Sequence, residues 1–232
     1  MIVRYRIGFG LFLLLACSGG DRSGSVEGDQ PGAPASPPLP ATTTDPRATI
    51  LFLGTSLTAG YGLDRPGVEA FPALIQARLD SAGRPYRVVN AGVSGESSAG
   101  ALGRIDWLLS RDSVAILVVE TGANDALRGQ STDSVRARIQ AIIDRARAAP
   151  RPPRIVLVGM EALPNLGADY VRRFRELYPE LARINRVELV PFLLDGVGGV
   201  DSLNQGDGIH PTAPGHRIMA ANVWPVLERI TR

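Results

Sequence analysis

Two short segments of the sequence carry side chains that could act as a nucleophile and as its general base. Ser56 follows a short apolar run, in a loop of small residues. Near the other end of the chain, residues 207–211 read Asp-Gly-Ile-His-Pro, so Asp207 precedes His210 by three positions. At that spacing a carboxylate can lie beside an imidazole across a turn and orient it, as a histidine that takes a proton requires. Pro211 suits the first position of a following helix.

Two further turns contain groups that could donate hydrogen bonds to a developing negative charge. They are residues 90–96, Asn-Ala-Gly-Val-Ser-Gly-Glu, and residues 121–125, Thr-Gly-Ala-Asn-Asp. Gly92 offers a bare backbone N–H, and Asn124 offers a side-chain amide. Chemistry through a tetrahedral intermediate needs such preformed donors, and removal of one typically costs about 10²–10³ in rate. Taken singly, each residue is more typical of an ordinary turn.

Each segment also has a simpler interpretation. A serine between a strand and a helix is more often a helix cap than a nucleophile, and an Asp-x-x-His segment can be a cap beside a surface histidine. A phosphate-binding loop has a lysine after its last glycine, whereas Tyr61 follows Gly60 here. The only histidines are His210 and His216, and the only cysteine is Cys17, so neither a metal site nor a cofactor is predicted. His216 lies within a predicted helix and is interpreted as structural.

A scaffold that could bring these segments together is visible from Ala48 onward, where short apolar runs alternate with longer amphipathic ones. Such alternation predicts parallel strands with right-handed crossovers, and continuous apolar strands indicate helices on both faces. Sites in these sheets lie at the carboxyl ends of the strands, where Ser56, Gly92 and Asn124 follow the first three. The predicted strands are 50–53, 86–90, 114–120, 155–159 and 187–191, and the predicted helices are 66–82, 97–110, 131–149, 168–185 and 211–230.

The N-terminal residues predict export. Arg4 and Arg6 precede an apolar run over 7–15, which is much shorter than the ~20 residues that span a bilayer. The run ends in Leu-Leu-Ala-Cys, a sequence that resembles a bacterial lipobox, so residues 1–16 are predicted to be a signal peptide and Cys17 to be lipidated. The alternative is ordinary cleavage nearby with an incidental cysteine. We expect the protein in the bacterial cell envelope, facing the periplasm or in the outer membrane, with its lipid anchor in a membrane.

The segment between the anchor and the folded part predicts a tether. Residues 18–47 hold six of the chain's 18 prolines and no aromatic side chain, so they cannot bury enough apolar surface to fold. The domain organisation is therefore a signal peptide, a lipidated and disordered segment over 17–47, and one domain over 48–232. The net charge of +2 is too small to indicate a nucleic-acid partner, and a monomer is expected.

Taken together, the four segments resemble the blocks of the SGNH, or GDSL-type, hydrolases. Gly-Thr-Ser-Leu over 54–57, Gly92, Gly-Ala-Asn-Asp over 122–125 and Asp-Gly-Ile-His-Pro over 207–211 occur in the order and spacing of that family. The similarity covers roughly residues 48–231 and is greatest to the bacterial thioesterase I/lysophospholipase L1 and arylesterase branch. It implies an α/β fold, a three-layer α/β/α sandwich with a five-stranded parallel, flavodoxin-like sheet.

The resemblance also implies roles for the candidate residues. Ser56 would attack, His210 would act as base and then acid, and Asp207 would orient it. The oxyanion donors would be the N–H groups of Ser56 and Gly92 and the side chain of Asn124, with no metal and no cofactor. Thr55 stands where the family usually has Asp, which leaves the support of the nucleophile loop open.

The implied activity is hydrolysis of carboxylic esters through a covalent acyl-enzyme. Expected substrates are small acyl or aryl esters and lysophospholipids, with thioesters as a side activity. Two alternatives remain open on the same fold: a carbohydrate O-deacetylase, and an inactive lipoprotein that binds in the envelope.

Overall fold

Five apolar segments form a parallel β-sheet in the computed structural model, which describes residues 45–111 and 113–232. The order of the strands in the sheet is β2-β1-β3-β4-β5. The strands are β1 (Ala48–Gly54), β2 (Tyr86–Gly92), β3 (Val114–Val119), β4 (Arg154–Val158) and β5 (Glu188–Val190). The same residues form the helices α1 (Ser56–Ala59), α2 (Pro66–Glu69), α3 (Phe71–Ser81), α4 (Ser98–Arg111), α5 (Ala123–Leu127), α6 (Thr132–Ala148), α7 (Ala168–Asn185) and α8 (Ala213–Ile230).

Helices cover both faces of the sheet, as the continuous apolar strands predicted. On one side α3 packs against α8, and on the other α6 packs against both α4 and α7. Ile50, Phe52 and Leu53 of β1 are completely buried, because alternate side chains of a strand point to opposite faces and both faces are covered. The predicted three-layer α/β/α architecture is confirmed.

The register of the sheet brings the ends of three strands to the same level. Gly54, the last residue of β1, pairs with Gly92, the last residue of β2. On the other side Leu53 pairs with Val119, so Glu120 leaves β3 beside Gly54. The loops after β1, β2 and β3 therefore emerge side by side at one edge of the sheet.

The predicted helix over 66–82 is wrong in one respect, because the structure divides it into α2 and α3. Ala70, between them, has extended backbone with ψ 146°. Pro72 is the physical reason, since its ring would clash with the carbonyl four residues earlier and it has no N–H to continue the helix. A proline near the start of a helix suits the new beginning at Phe71.

The prediction that Pro211 begins the last helix is also wrong. Pro211 forms an isolated antiparallel bridge with Asn204 instead. Thr212 takes the N-cap position, and α8 begins at Ala213 with Pro214 in its first turn. A proline does lie in the first turn of this helix, as the sequence indicated, but it is Pro214 and not Pro211.

Residues 1–44 lie outside the described part, and with them Cys17, the signal peptide and most of the tether. Arg47, near the end of the predicted tether, pairs with Asp45 at 2.7 Å and with Asp80 of α3 at 3.3 Å. Among residues 45–111 and 113–232, no helix is both long enough and apolar enough to cross a membrane.

Candidate active site

Ser56 lies where β1 gives way to a short helix. The strand ends at Gly54, Thr55 takes the N-cap position with extended backbone, and Ser56 is the first residue of α1. The helix ends after one turn at Gly60, whose φ of 77° lies in the left-handed region that favours glycine. The Ser56 hydroxyl is thereby held at the carboxyl edge of the sheet, with only 8% of the residue exposed.

His210 lies within hydrogen-bonding distance of both Ser56 and Asp207. Its Nε2 atom is 2.9 Å from Ser56 Oγ, and its Nδ1 atom is 2.6 Å from Asp207 Oδ2. The other carboxylate oxygen, Asp207 Oδ1, accepts the backbone N–H groups of Ile209 and His210 at 2.9 and 3.0 Å. The structure thus brings together the three side chains that the sequence separates by as many as 154 positions.

The electrostatics of this trio fix which atom carries the proton. The bond from the His210 ring, followed by the two backbone N–H groups, holds the pKa of the Asp207 carboxyl well below its usual value. An ionised carboxylate can only accept, so the proton between these two side chains lies on His210 Nδ1. In the neutral ring Nε2 is then the acceptor, and it faces the Ser56 hydroxyl. A serine placed in this way can be activated as a nucleophile.

Gln205 joins the loop of His210 to the loop of Ser56. Its backbone N–H donates to His210 O at 2.7 Å, and its side-chain amide donates to Tyr61 O at 2.8 Å and to Pro211 O at 3.0 Å. The Tyr61 ring lies against the His210 ring, with 4.7 Å between centroids. Gly62 has φ 74°, which favours glycine, and a Cβ there would lie 2.1 Å from the Gln205 amide oxygen, so a larger residue would displace the Gln205 side chain.

The candidate oxyanion donors lie close to this trio but differ in their present bonds. Ser56 N–H belongs to the first turn of α1, where the helix itself supplies no acceptor. Gly92 N–H donates to Asn90 Oδ1 at 2.9 Å. Asn124 Nδ2 donates to Glu96 O at 3.0 Å. Two of the three donors, Gly92 N–H and Asn124 Nδ2, are therefore hydrogen-bonded to neutral carbonyl oxygens in this structure.

Gly92 packs against the back of the turn that carries Ser56. A Cβ at this position would lie 2.3 Å from Ala59 N and 2.8 Å from Thr55 O. Contacts of that length with backbone cannot be relieved by a side-chain movement, so any residue other than glycine would displace α1. Asn124, in contrast, lines the same groove as Ser56 and His210.

Asp125, next to Asn124, was missed as a functional residue by the sequence reasoning. Its side chain is completely buried and accepts Ser98 N–H and Ser98 Oγ–H, both at 2.7 Å. The Arg138 guanidinium donates to the same carboxylate at 3.1 Å. These bonds attach α5 to α4 and α6, and so fix the position of Asn124 at the site.

Glu120 was missed as well. It is completely buried under the turn that carries Ser56 and bonds to Thr55 and Thr58. The sequence analysis assigned Glu120 to the third strand and gave it no role, although the structure ends β3 one residue earlier. The available signal was a glutamate directly after a run of Ile, Leu and Val, a place where an acid is rarely fully buried without a partner.

A groove of about 180 Å³ opens beside Ser56 and His210. Three apolar side chains at its rim, Leu127, Leu163 and Ile209, are between 42% and 46% exposed. Its other apolar lining residues are Leu57, Ala123, Ala126, Met160, Ala162 and Leu194. A larger cleft of about 690 Å³ lies at the opposite edge of the sheet, near Val114 at the start of β3, and is remote from this chemistry.

His216 has the structural role that its sequence position indicated. It is buried in α8, and its Nδ1 atom accepts Phe71 N–H at 3.1 Å. Burial lowers the pKa of His216 to about 4, so the ring stays neutral and remains an acceptor. Within the described ranges, no three His, Cys, Asp or Glu side chains are grouped as metal ligands.

Comparisons with known proteins identify the family to which this chain is similar. Residues 52–218 match the model of the GDSL-like Lipase/Acylhydrolase family. Esterase TesA of Pseudomonas aeruginosa is 39% identical over 180 residues, which cover 78% of this chain and 88% of the relative. Arylesterase of Vibrio mimicus is 31% identical, over 70% of this chain and 79% of its own. Thioesterase 1/protease 1/lysophospholipase L1 of Escherichia coli is 35% identical, over 70% and 75%.

Solved structures lead to the same family. The crystal structure of TesA superposes with a TM-score of 0.74 at 39% identity, over 78% of this chain and 99% of the other. That of AlinE4, a SGNH-hydrolase family esterase, gives 0.65 at 39% identity, over 79% and 96%. With the family model, the relatives and the fold in agreement, the chain belongs to the GDSL-like lipase/acylhydrolase family, in its TesA-like branch, and is a carboxylic ester hydrolase.

Proposed function

We propose that Ser56 is the nucleophile of this hydrolase, that His210 is its general base and acid, and that Asp207 orients the imidazole. The observation that carries the proposal is the continuous chain of short contacts from Asp207 Oδ2 through His210 to Ser56 Oγ, at 2.6 and 2.9 Å. The ionised state of Asp207 supports it, because a negative charge beside Nδ1 stabilises the imidazolium that forms when the base takes a proton.

The reaction follows from these positions. Ser56 Oγ bonds to the ester carbonyl carbon while its proton moves to His210 Nε2, and the carbonyl electron pair moves to oxygen. Collapse of this tetrahedral species breaks the ester C–O bond, and His210 returns the proton to the departing alcohol or phenol. Water then attacks the acyl-Ser56 intermediate with His210 again as base, which releases the acid and restores the serine.

The negative oxygen of each tetrahedral species needs donors, and we assign them to Ser56 N–H, Gly92 N–H and Asn124 Nδ2. An anionic oxygen is a stronger acceptor than a neutral carbonyl. The bonds that Gly92 and Asn124 make to Asn90 and Glu96 are therefore of the kind that an oxyanion can replace.

The substrate class follows from the groove. Its apolar lining favours an acyl chain or an aryl ring, because burial of each methylene contributes about 0.8 kcal/mol. Short-to-medium acyl esters, aryl esters and lysophospholipids present such groups. A carbohydrate O-deacetylase would instead place a polar sugar against Leu127, Leu163 and Ile209, whose exposed apolar surface does not complement it.

The Ser56→Ala variant tests the assignment. It should fold normally and lose several orders of magnitude in kcat on p-nitrophenyl esters, because the members of such a trio act as a unit. A fluorophosphonate should label the wild-type protein at Ser56 and leave the variant unlabelled. A variant that keeps more than about a tenth of the wild-type rate would remove Ser56 from its role. The same assay with lysophosphatidylcholine and acetylated sugars ranks the substrate classes.

We propose further that the protein is exported and anchored through Cys17. The positive start at Arg4 and Arg6, the apolar run and the Leu-Leu-Ala-Cys segment support this. Several acyl chains on one cysteine would hold the protein stably, since a single chain is marginal. Mass spectrometry of the mature N-terminus should find an acylated Cys17, and Cys17→Ser should leave the membrane fraction. A protein that begins at Asp45, which keeps the Arg47 contacts, should retain wild-type kcat.

A further inference from the structure

Glu120 lies directly beneath the turn that carries Ser56. It is completely buried, and its Oε2 atom accepts Thr55 N–H and Thr58 Oγ–H, both at 2.8 Å. Thr55 Oγ lies 3.0 Å from each of the two carboxylate oxygens. The residues that bond to Glu120 thus flank Ser56 on both sides, one residue before it and two residues after it.

The contact between the strand end and this cluster is close enough to exclude side chains. A Cβ at Gly54 would lie 1.9 Å from Thr58 Oγ and 2.8 Å from Glu120 Oε2. The glycine before the nucleophile turn therefore allows the Thr58 hydroxyl and the Glu120 carboxylate to meet. A turn that was merely packed on the core would not need a carboxylate at this point.

Burying the ionisable carboxyl group of Glu120 in this cluster costs free energy. The groups that bond Glu120 are neutral hydroxyls and amides, and burial raises the pKa of its carboxyl to about 7 against the effect of those bonds. The titratable side chain that faces it is Tyr178, itself buried, whose hydroxyl donates to Thr121 O at 2.8 Å. A buried acid without a charged partner is an unfavourable choice for stability alone, and such exceptions concentrate at functional sites.

We propose that Glu120 is a positioning residue for the nucleophile, whose carboxylate holds Thr55 and Thr58 and thereby directs Ser56 Oγ at His210. The inference rests on the proposed role of Ser56. A carboxylate suits the task because one oxygen must accept two donors while the other faces the Thr55 hydroxyl. An amide of the same shape keeps one such oxygen, but it adds a buried N–H that the cluster cannot satisfy.

The decisive variant is Glu120→Gln, measured on a p-nitrophenyl ester at pH 8. We expect kcat to fall by about tenfold to a hundredfold, the range of one lost hydrogen bond to a charged group, while KM changes less than about threefold. The rate of fluorophosphonate labelling at Ser56 should fall in parallel. The midpoint of urea unfolding should change little, because the variant no longer buries a charge and this gain offsets the cost of the unpaired amide N–H. A structural role would instead lower stability and leave the labelling rate of the folded protein unchanged.

Two matched comparisons complete the experiment. Thr58→Val removes a donor to Glu120 at constant shape and should lower kcat, whereas Thr58→Ser keeps the hydroxyl and should recover most of it. Asn185 at the end of α7, buried and bonded to Gln140 and Leu181 O, is the control for stability alone. Asn185→Leu should unfold at lower urea concentration and keep wild-type kcat.

Three outcomes distinguish the possible failures. Activity retained by Ser56→Ala would contradict the proposed nucleophile itself. An inactive Ser56→Ala together with wild-type kcat in Glu120→Gln would overturn only the role of Glu120. If Glu120→Gln does not fold, the Thr58 pair decides, and equal kcat in Thr58→Val and Thr58→Ser would overturn the proposal.

Discussion

The two loops that meet at Ser56 and His210 differ in how the chain holds them. Residues 54–58 are buried, and their hydrogen bonds reach Glu120, the residue directly after the neighbouring strand β3. Residues 206–209 are exposed, and within the described part of the chain Asp207 bonds only in its own turn, to Ile209 and His210. Ser56 is thus positioned by the core, whereas His210 is positioned by a few local bonds and by Gln205.

This difference predicts unequal effects of truncating one hydrogen-bonding side chain in each loop. Asp207→Ala should lower kcat by two orders of magnitude or more, because His210 loses both its orientation and its tautomer. Thr55→Ala should lower kcat by about tenfold or less, equivalent to one net hydrogen bond of ~1 kcal/mol, since Thr55 N–H and Thr58 still bind Glu120. Both variants are measured on one ester at one pH, with Ser56→Ala as the baseline.

The order of these two effects is the informative result. If Thr55→Ala is the more damaging variant, the buried loop depends on a single bond and the contrast with the exposed loop is lost. Thr55→Ser serves as the matched variant, because it keeps the hydroxyl and removes only a methyl group.

The two loops should also differ in a smaller effect, the way in which pH changes the contribution of their carboxyl groups to stability. Glu120 has its pKa raised from 4.5 to about 7, so its folded form binds a proton that the unfolded chain has lost, and its contribution to stability falls between those pH values. A shift of that size corresponds to roughly 3 kcal/mol at most. Asp207 has its pKa lowered from 3.8, so its contribution is present above that pH and is lost as the pH falls further.

Urea unfolding of wild type and Glu120→Gln at pH 5 and pH 8 measures the effect. As the pH rises from 5 to 8, the free energy of unfolding of Glu120→Gln should increase relative to that of the wild type. A difference that does not change with pH would mean that Glu120 keeps the same charge in both states of the chain.

The fold was predictable because its pattern is repeated along the chain. The central strands β1, β3 and β4 contain continuous buried apolar runs, and the long helix α7 was predicted with its observed ends at Ala168 and Asn185. The errors came from single residues whose effect depends on neighbours. Pro72 divides one predicted helix, and Pro211 pairs with Asn204 instead of beginning α8.

The site was predictable to the extent that its residues form recognisable spacings. Asp207 and His210, three positions apart, form such a spacing, and the structure places their side chains 2.6 Å apart. Glu120 has no spacing to reveal it, because its partners Thr55 and Thr58 lie 65 and 62 positions away. Its contacts depend on the register between β1 and β3. Sequence periodicity predicts that these strands belong to one sheet, but it does not predict which of their residues lie side by side. Residues that act through others are therefore the ones that sequence reasoning missed.

The bond that Gln205 makes to Tyr61 O joins positions 144 apart in the chain. Closing a segment of that length costs entropy before the contact contributes anything, so contacts of this kind form late in folding. On the proposed mechanism, a chain still lacking its final residues holds Ser56 without a base and turns over no ester. During refolding, recovered turnover would therefore report that the segment of His210 has met the loop of Ser56.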